Sequence, residues 1–277
     1  HELYILRCFD LAKRGNGYVS PNPLVGCVIV HEDRIIGEGW HQQFGKAHAE
    51  VNAFASINPH DIPKLTESTV YVSLEPCCHF GKTPPCTQLL IQNKVKKVVI
   101  SCLDPNPIVA GNGVRELKNA GIEVEYGIFE QEGKALIKTF IKNIQYQKPY
   151  IFLKWAQSSD GYISKFNEST PISNPFSNRL VHQLRSEMDG ILIGSNTAII
   201  DNPMLNNRLY FGNSPTPILI DRYQKVSPQS NIRLNTNSII ITEDKDYISF
   251  GNQTLIHHQF DYDDFDQLLK SLYQLKI

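Results

Sequence analysis

The chain has 277 residues, 41% of them hydrophobic, and 27 Lys and Arg against 28 Asp and Glu, a net charge of −1. That length exceeds the usual single domain, so two domains are expected, and the even charge removes the electrostatic basis for nucleic acid or an anionic membrane as the main partner. No apolar run approaches the ~20 residues that cross a bilayer, and six cysteines at 8, 27, 77, 78, 86 and 102 are too few and too unevenly placed for a disulfide scaffold, which fits a soluble protein of the reducing cytoplasm.

Apolar side chains recur at helical spacing over residues 2–14, and Gly15, Asn16 and Gly17 stop that helix. SPNP leads into LVGCVIV, a β-branched run that predicts a buried strand, with RIIGEG as its hairpin partner. AHAEVNAFASI returns to helical spacing, and TVYVSLE predicts a strand ending at the loop EPCCHFGKTPPC. TQLLIQN is a helix and KKVVIS a third buried strand, followed by the turn-rich loop DPNPIVAGNG. A helix near 113–120, a strand at 122–126 and a helix near 130–145 complete an α/β sandwich of about 145 residues.

The polar, proline-containing segment YQKPY marks the restart of the pattern, which places the domain boundary near Lys148, with domains at 1–147 and 148–277. YIFLKWA and GILIG are then expected as buried strands with the helix NRLVHQLRSE between them, and TPILID, SIIIT and TLIHH as further short strands. DDFDQLLKSLYQLKI closes the chain as a helical pattern.

His48 and Glu50 stand in HAE at a helix start, 29 residues before Cys77. H-x-E followed by P-C and a second cysteine is the pattern of zinc-dependent nucleobase deaminases. One imidazole and two thiolates leave the fourth tetrahedral position of zinc open for water, whose pKa falls toward neutrality. Glu50, two residues from His48, is then free to move protons as general acid and base. Adjacent Cys77 and Cys78 direct their side chains differently. Cys77 follows Pro76 at a strand end and Cys86 follows Pro84 and Pro85 at a helix start, where a thiolate is favoured, so Cys77 and Cys86 are the expected ligands and Cys78 a spare. The inserted residues between them include His79, Lys82 and Thr83, polar and cationic groups suited to a phosphorylated ligand. A structural zinc site would need four protein ligands, and only three are evident. Cys8, Cys27 and Cys102 lie in apolar runs as core residues, while His31, His60, His182, His257 and His258 are read as surface or satisfied histidines.

These motifs resemble the bifunctional riboflavin-biosynthesis deaminase/reductase family over nearly the whole chain: SPNPLVGCVIV, HAEVNA, EPCCHFGKTPPC and DPNPIVAGNGV in the first half, LKWAQSSDG, LVHQLRSEMDGILIGSNTAIIDNP and PILID in the second. The nine-residue step from Cys77 to Cys86 separates this family from most other deaminases. The resemblance implies a cytidine-deaminase-like α/β/α domain joined to a dihydrofolate-reductase-like α/β domain. It implies zinc-dependent hydrolytic deamination of a phosphoribosylamino-diaminopyrimidinone, then reduction of the ribosyl ring to ribityl with NADPH. By resemblance Asn22, His41, His48, Glu50, His79 and Lys82 line the deaminase pocket. Pro21 and Pro23 restrict the backbone on both sides of Asn22, whose amide can donate to and accept from a pyrimidine edge. Ser169, Arg185, Leu205 and Arg208 match the reductase substrate positions, with the two arginines suited to clamping a ribose phosphate, and Ala156, Thr197 and Asp201 match the NADPH positions. A homo-oligomer assembled through the reductase domains is also implied.

Two departures from the family pattern stand out. Pro171 occupies the place of a tryptophan near the nicotinamide, and the chain stops at Ile277, short of the family's last elements, so weak NADPH turnover is expected. No G-x-G-x-x-G is present, which disfavours a Rossmann fold. The competing readings are a deaminase of another nucleobase substrate such as tRNA, opposed by the missing basic excess, and a non-catalytic zinc-stabilised nucleotide-binding module.

Overall fold

Alternation in the sequence GCVIVH sends Cys27 and Ile29 to one side of strand β1 (Gly26–His31) and Val28 and Val30 to the other. Both sides are buried, so the strand must lie at the centre of a sandwich. In the computed structural model, which describes residues 1–80, 84–260 and 265–277, it does. Two compact units are formed, His1–Tyr150 and Ile151–Ile277.

The first unit is built on a five-stranded sheet. Strand β1 pairs antiparallel with β2 (Arg34–Trp40) and with β3 (Thr69–Leu74); β4 (Lys97–Cys102) and β5 (Glu123–Tyr126) follow β3 in parallel, giving the order β2-β1-β3-β4-β5. Helices α2 (Ala49–Ala55), α3 (Cys86–Gln92) and α4 (Asn112–Asn119) bury Ala53, Leu90 and Leu117 with Cys27 and Ile29 on one face. Helix α1 (Glu2–Lys13) and helix α5 (Glu130–Leu136) cover the other, where Ile5, Cys8 and Leu136 meet Val28 and Val30. Two glycines permit these approaches. A Cβ on Gly26 would stand 2.0 Å from the Cys8 carbonyl oxygen, and one on Gly39 would stand 2.4 Å from the Ala53 nitrogen. Cys8, Cys27 and Cys102 are fully buried, as their apolar surroundings imply.

Three differences from the sequence reading have local causes. The helix expected over 130–145 is two helices, α5 and α6 (Lys138–Tyr146), because Ile137 between them is buried against Leu74 and Cys102. The segment 59–67 is a 3-10 helix, Pro59–Glu67, started by Pro59 and by the Asn58 side chain, which accepts the His60 N–H at 3.1 Å. YIFLKWA is not a strand, and Leu153 and Trp155 are 81% and 64% exposed. An apolar run becomes a strand only when a neighbour pairs its backbone groups, and none of the four strands of the second unit pairs with it.

In the second unit β6 (Gly190–Gly194), β7 (Thr216–Ile220), β8 (Ile239–Thr242) and β9 (Thr254–His257) form a parallel sheet in chain order. Helices α8 (Ser195–Asp201) and α9 (Asn231–Leu234) place Ala198 and Ile232 on one face with Leu219 and Ile240. Helix α10 (Phe265–Gln274) places Leu268 and Leu272 on the other with Ile218 and Ile241. Helix α7 (Pro175–Ser186) starts at Asn174, whose side chain accepts the Ser177 N–H at 2.8 Å, with Pro175 in the first turn. Buried Asp221 at the end of β7 accepts the Val226 N–H and the Tyr247 hydroxyl, and Tyr247 in turn accepts from buried Arg233 at 2.6 Å. His258 departs from its expected class: it is buried, and its Nε2 has no partner among the described residues.

Candidate active site and metal centre

The ends of three elements converge in the first unit. His48 is the N-cap residue of α2, Cys77 follows strand β3, and Cys86 opens α3. The His48 Nδ1 lies 3.6 Å from Cys77 Sγ and 3.4 Å from Cys86 Sγ, and the three donor atoms fall within 4.8 Å of one another. Zinc–nitrogen and zinc–sulfur bonds of about 2.1 and 2.3 Å at a tetrahedral angle set nitrogen and sulfur about 3.6 Å apart, so this donor set fits zinc. The start of α3 also grips Cys77 directly. The Cys86 N–H donates to Cys77 Sγ at 3.3 Å and the Thr87 N–H to the Cys77 carbonyl at 3.1 Å. Cys78 lies outside the group, with its Sγ 4.0 Å from the Ile108 carbonyl oxygen.

The electrostatics match a cation site. The Cys77 thiol is held well below its ordinary range, first by its hydrogen bond with Cys86 and then by His48, while Cys86 is pushed up by the same hydrogen bond and by burial. His48 is raised by its contact with Cys77. Glu50, in the first turn of α2, is 3% exposed, and burial followed by the nearby Cys77 charge raises its carboxyl.

His41 and Asn22 stand beside this centre. The His41 and His48 rings meet edge to face at 5.5 Å. His41 Nδ1 faces the Ala47 carbonyl at 3.0 Å, so it carries the proton, and Nε2 accepts from the Asn22 amide nitrogen at 3.1 Å. Burial lowers the His41 pKa and keeps the ring in this neutral form. The Asn22 oxygen is thereby turned away from His41. His79 is exposed, and Lys82 lies outside the described residues.

Asp104 is a neighbour that sequence reasoning missed. Its carboxyl is pushed up to about 6, first by burial, with Glu75 and Cys77 adding to the effect and the Asn106 N–H and His79 opposing it. Buried Glu75 organises the same loop by accepting the Asp104, Gly111 and Val114 N–H groups at 3.2, 2.9 and 3.2 Å. The signal was a carboxylate in D-P-N-P directly after a buried strand.

In the second unit Arg185, Asp201, Leu205 and Arg208 line one cleft of about 290 Å³. Asp201, expected on the cofactor, therefore shares a cleft with residues expected on the substrate. Ser169, Ala156 and Thr197 are not among its lining residues; Ser169 and Thr197 are exposed, the latter on α8. His182 lines the same cleft and was not singled out from sequence. Its position three residues before Arg185 on α7, one turn away on the same face, was the available clue.

Residues 1–102 match the family profile of the cytidine and deoxycytidylate deaminase zinc-binding region, and residues 149–277 match that of the RibD C-terminal domain. The riboflavin biosynthesis protein RibD of Aquifex aeolicus is 40% identical over 99% of this chain and 78% of its own length. The RibD protein of Escherichia coli is 40% identical over 88% of this chain, which spans 64% of that relative. Among solved structures, the diaminohydroxyphosphoribosylaminopyrimidine deaminase/5-amino-6-(5-phosphoribosylamino)uracil reductase of Thermotoga maritima superposes with a TM-score of 0.91 at 36% identity, covering 100% of this chain and 78% of that one. Acinetobacter baumannii RibD superposes with a TM-score of 0.87 at 34% identity, with the same coverage of 100% and 78%. A deaminase-type zinc site followed by a RibD-type second domain, in one continuous match, means that the chain belongs to the RibD family of riboflavin-biosynthesis deaminase/reductases.

Proposed function

We propose that the first unit deaminates a phosphoribosylamino-diaminopyrimidinone and that the second reduces the ribosyl chain of the product to ribityl with NADPH. The observation that carries the reading is the convergence of His48 Nδ1 with the Cys77 and Cys86 sulfurs beside buried Glu50. These three residues would hold zinc, which would supply Lewis-acid activation of water. Glu50 beside them would act as general base and acid, taking a proton from the attacking water and returning protons to the ring nitrogen and the departing amine. Its burial keeps bulk water from competing for the transfer. Asn22, held by His41, offers its amide oxygen to the pyrimidine edge, and His79 and Lys82 take the phosphoribosyl group.

In the second unit Arg185 and Arg208 hold the phosphate by charged hydrogen bonds, with Ser169 and Leu205 against the substrate and Ala156, Thr197 and Asp201 toward NADPH. The reading includes a homo-oligomer assembled through this unit and a cytoplasmic setting, which suits six cysteines that are all free thiols. No helix among the described residues is long and apolar enough to cross a membrane.

The test is mass spectrometry of the phosphoribosylated diaminopyrimidinone after incubation with the zinc-loaded chain. Replacement of one amino group by oxygen, with release of ammonia, is expected. Unchanged substrate under conditions in which a RibD relative converts it rules the reading out. NADPH consumption with the deaminated product tests the second half separately.

A further inference from the structure

His182 is 4% exposed, yet it forms part of the wall of the cleft that holds Arg185 and Arg208. The backbone N–H of Arg208 donates to His182 Nδ1 at 3.0 Å. A nitrogen that accepts carries no proton, so the neutral ring bears its proton on Nε2. That Nε2 lies 3.4 Å from Arg185 Nη1, which itself donates to the Asn206 carbonyl at 2.9 Å. Two N–H groups at this separation cannot satisfy each other, which leaves the His182 Nε2–H able to donate to a further acceptor in the cleft. The Arg185 Nε is also buried with no hydrogen-bond partner among the described residues. Burial, then the charges of Arg185 and Arg208, lower the His182 pKa, opposed by a side-chain hydrogen bond with Asn207. The one carboxylate in the cleft wall is Asp201.

We propose that His182 is a specificity and positioning residue of the second site: its Nε2–H donates to an oxygen of a phosphorylated sugar held by Arg185 and Arg208, while its Nδ1 fixes the backbone that presents Arg208. A neutral donor between two guanidinium groups adds a directed hydrogen bond without a third positive charge. This rests on the reading that the cleft takes the phosphoribosyl group.

The proposal separates two atoms of one ring, and two substitutions separate them experimentally. The Asn side chain in His182→Asn places an acceptor near the Nδ1 position and lacks the Nε2 donor. The Gln side chain in His182→Gln reaches the Nε2 position with an N–H. Ribose 5-phosphate is titrated calorimetrically into the full chain, with Arg208→Met as a control. His182→Asn is expected to bind about 10-fold more weakly, the value of one hydrogen bond to a charged group, and His182→Gln to stay within about threefold of the unmodified chain. Equal losses in both variants mean a merely structural role and overturn the proposal, as does unchanged binding by His182→Asn while Arg208→Met is weakened. No binding by the unmodified chain, or no loss in Arg208→Met, overturns the phosphate reading of the cleft and the proposal with it. Should either His182 variant fail to fold, nitrogen-15 spectra of the unmodified chain decide: they must show an unprotonated Nδ1 and a protonated Nε2 at His182, and the opposite tautomer contradicts the proposal.

Discussion

At the residue scale, the roles of three neighbouring cysteines separate cleanly. Cys77 and Cys86 share the His48 nitrogen, whereas Cys78, the immediate neighbour of Cys77, lies outside the group of donors. Cys86→Ser is therefore expected to lose most bound zinc, and Cys78→Ser to retain one zinc per chain; metal analysis after gel filtration distinguishes them. Zinc loss in Cys78→Ser with retention in Cys86→Ser would reverse the assignment. The convergence of these candidate ligands was legible because the chemistry demands residue types at chain positions that a strand end and a helix start supply. Asp104 and His182 were less legible, because what distinguishes each is burial together with charges that the fold brings from elsewhere in the chain, Glu75 and Cys77 to Asp104 and Arg208 to His182. The local signals, D-P-N-P after a strand and a histidine one turn before Arg185, do not by themselves record that burial.

At the scale of elements, the site depends on how closely α2 approaches β2. The Ala53 nitrogen and Asn52 carbonyl carbon would lie 2.4 and 2.6 Å from a Cβ on Gly39, both backbone atoms of the helix that carries Glu50. Gly39→Ala should destabilise the first unit by about 1–3 kcal/mol or more, since overpacking against backbone cannot relax through a side chain. Thermal unfolding measures this, and an unchanged midpoint would mean that the helix has room to move. The 3-10 helix Pro59–Glu67 is tied to β2 through Asp61, whose Oδ1 accepts from Arg34 at 2.6 Å and Lys64 at 2.7 Å. Those partners, Arg34 first, lower the Asp61 carboxyl from 3.8 to about 2. A carboxyl depressed in the folded state contributes stability above its unfolded pKa and loses it as pH falls through the folded value. The unmodified chain should thus lose this contribution between about pH 4 and pH 2, and Asp61→Asn should show a shallower loss over that interval in acid unfolding. Most elements of the first unit were readable as period-2 or period-3.6 patterns. The failures had another origin: Ile137 breaks a helix because its side chain is drawn into a core, and YIFLKWA has a strand's composition without a strand beside it.

At the scale of the molecule, a deaminase domain and a RibD-type reductase domain follow each other in one chain, each with its own sheet and its own cores. The two domains were legible to different depths. Alternation and an unusual cysteine step marked the first from its own letters, whereas the second offered only a resemblance, since two arginines and a short parallel sheet suit many ligands. The account as a whole turns on Glu50 moving protons next to a three-ligand zinc. The most direct measurement is ammonia release from the phosphoribosylated diaminopyrimidinone by the unmodified chain and by Glu50→Gln, compared at equal zinc content. The account predicts turnover by the first and a loss of at least about 100-fold in the second, the usual contribution of a positioned acid–base group, with one zinc bound in each. Equal ammonia release from the two would contradict it.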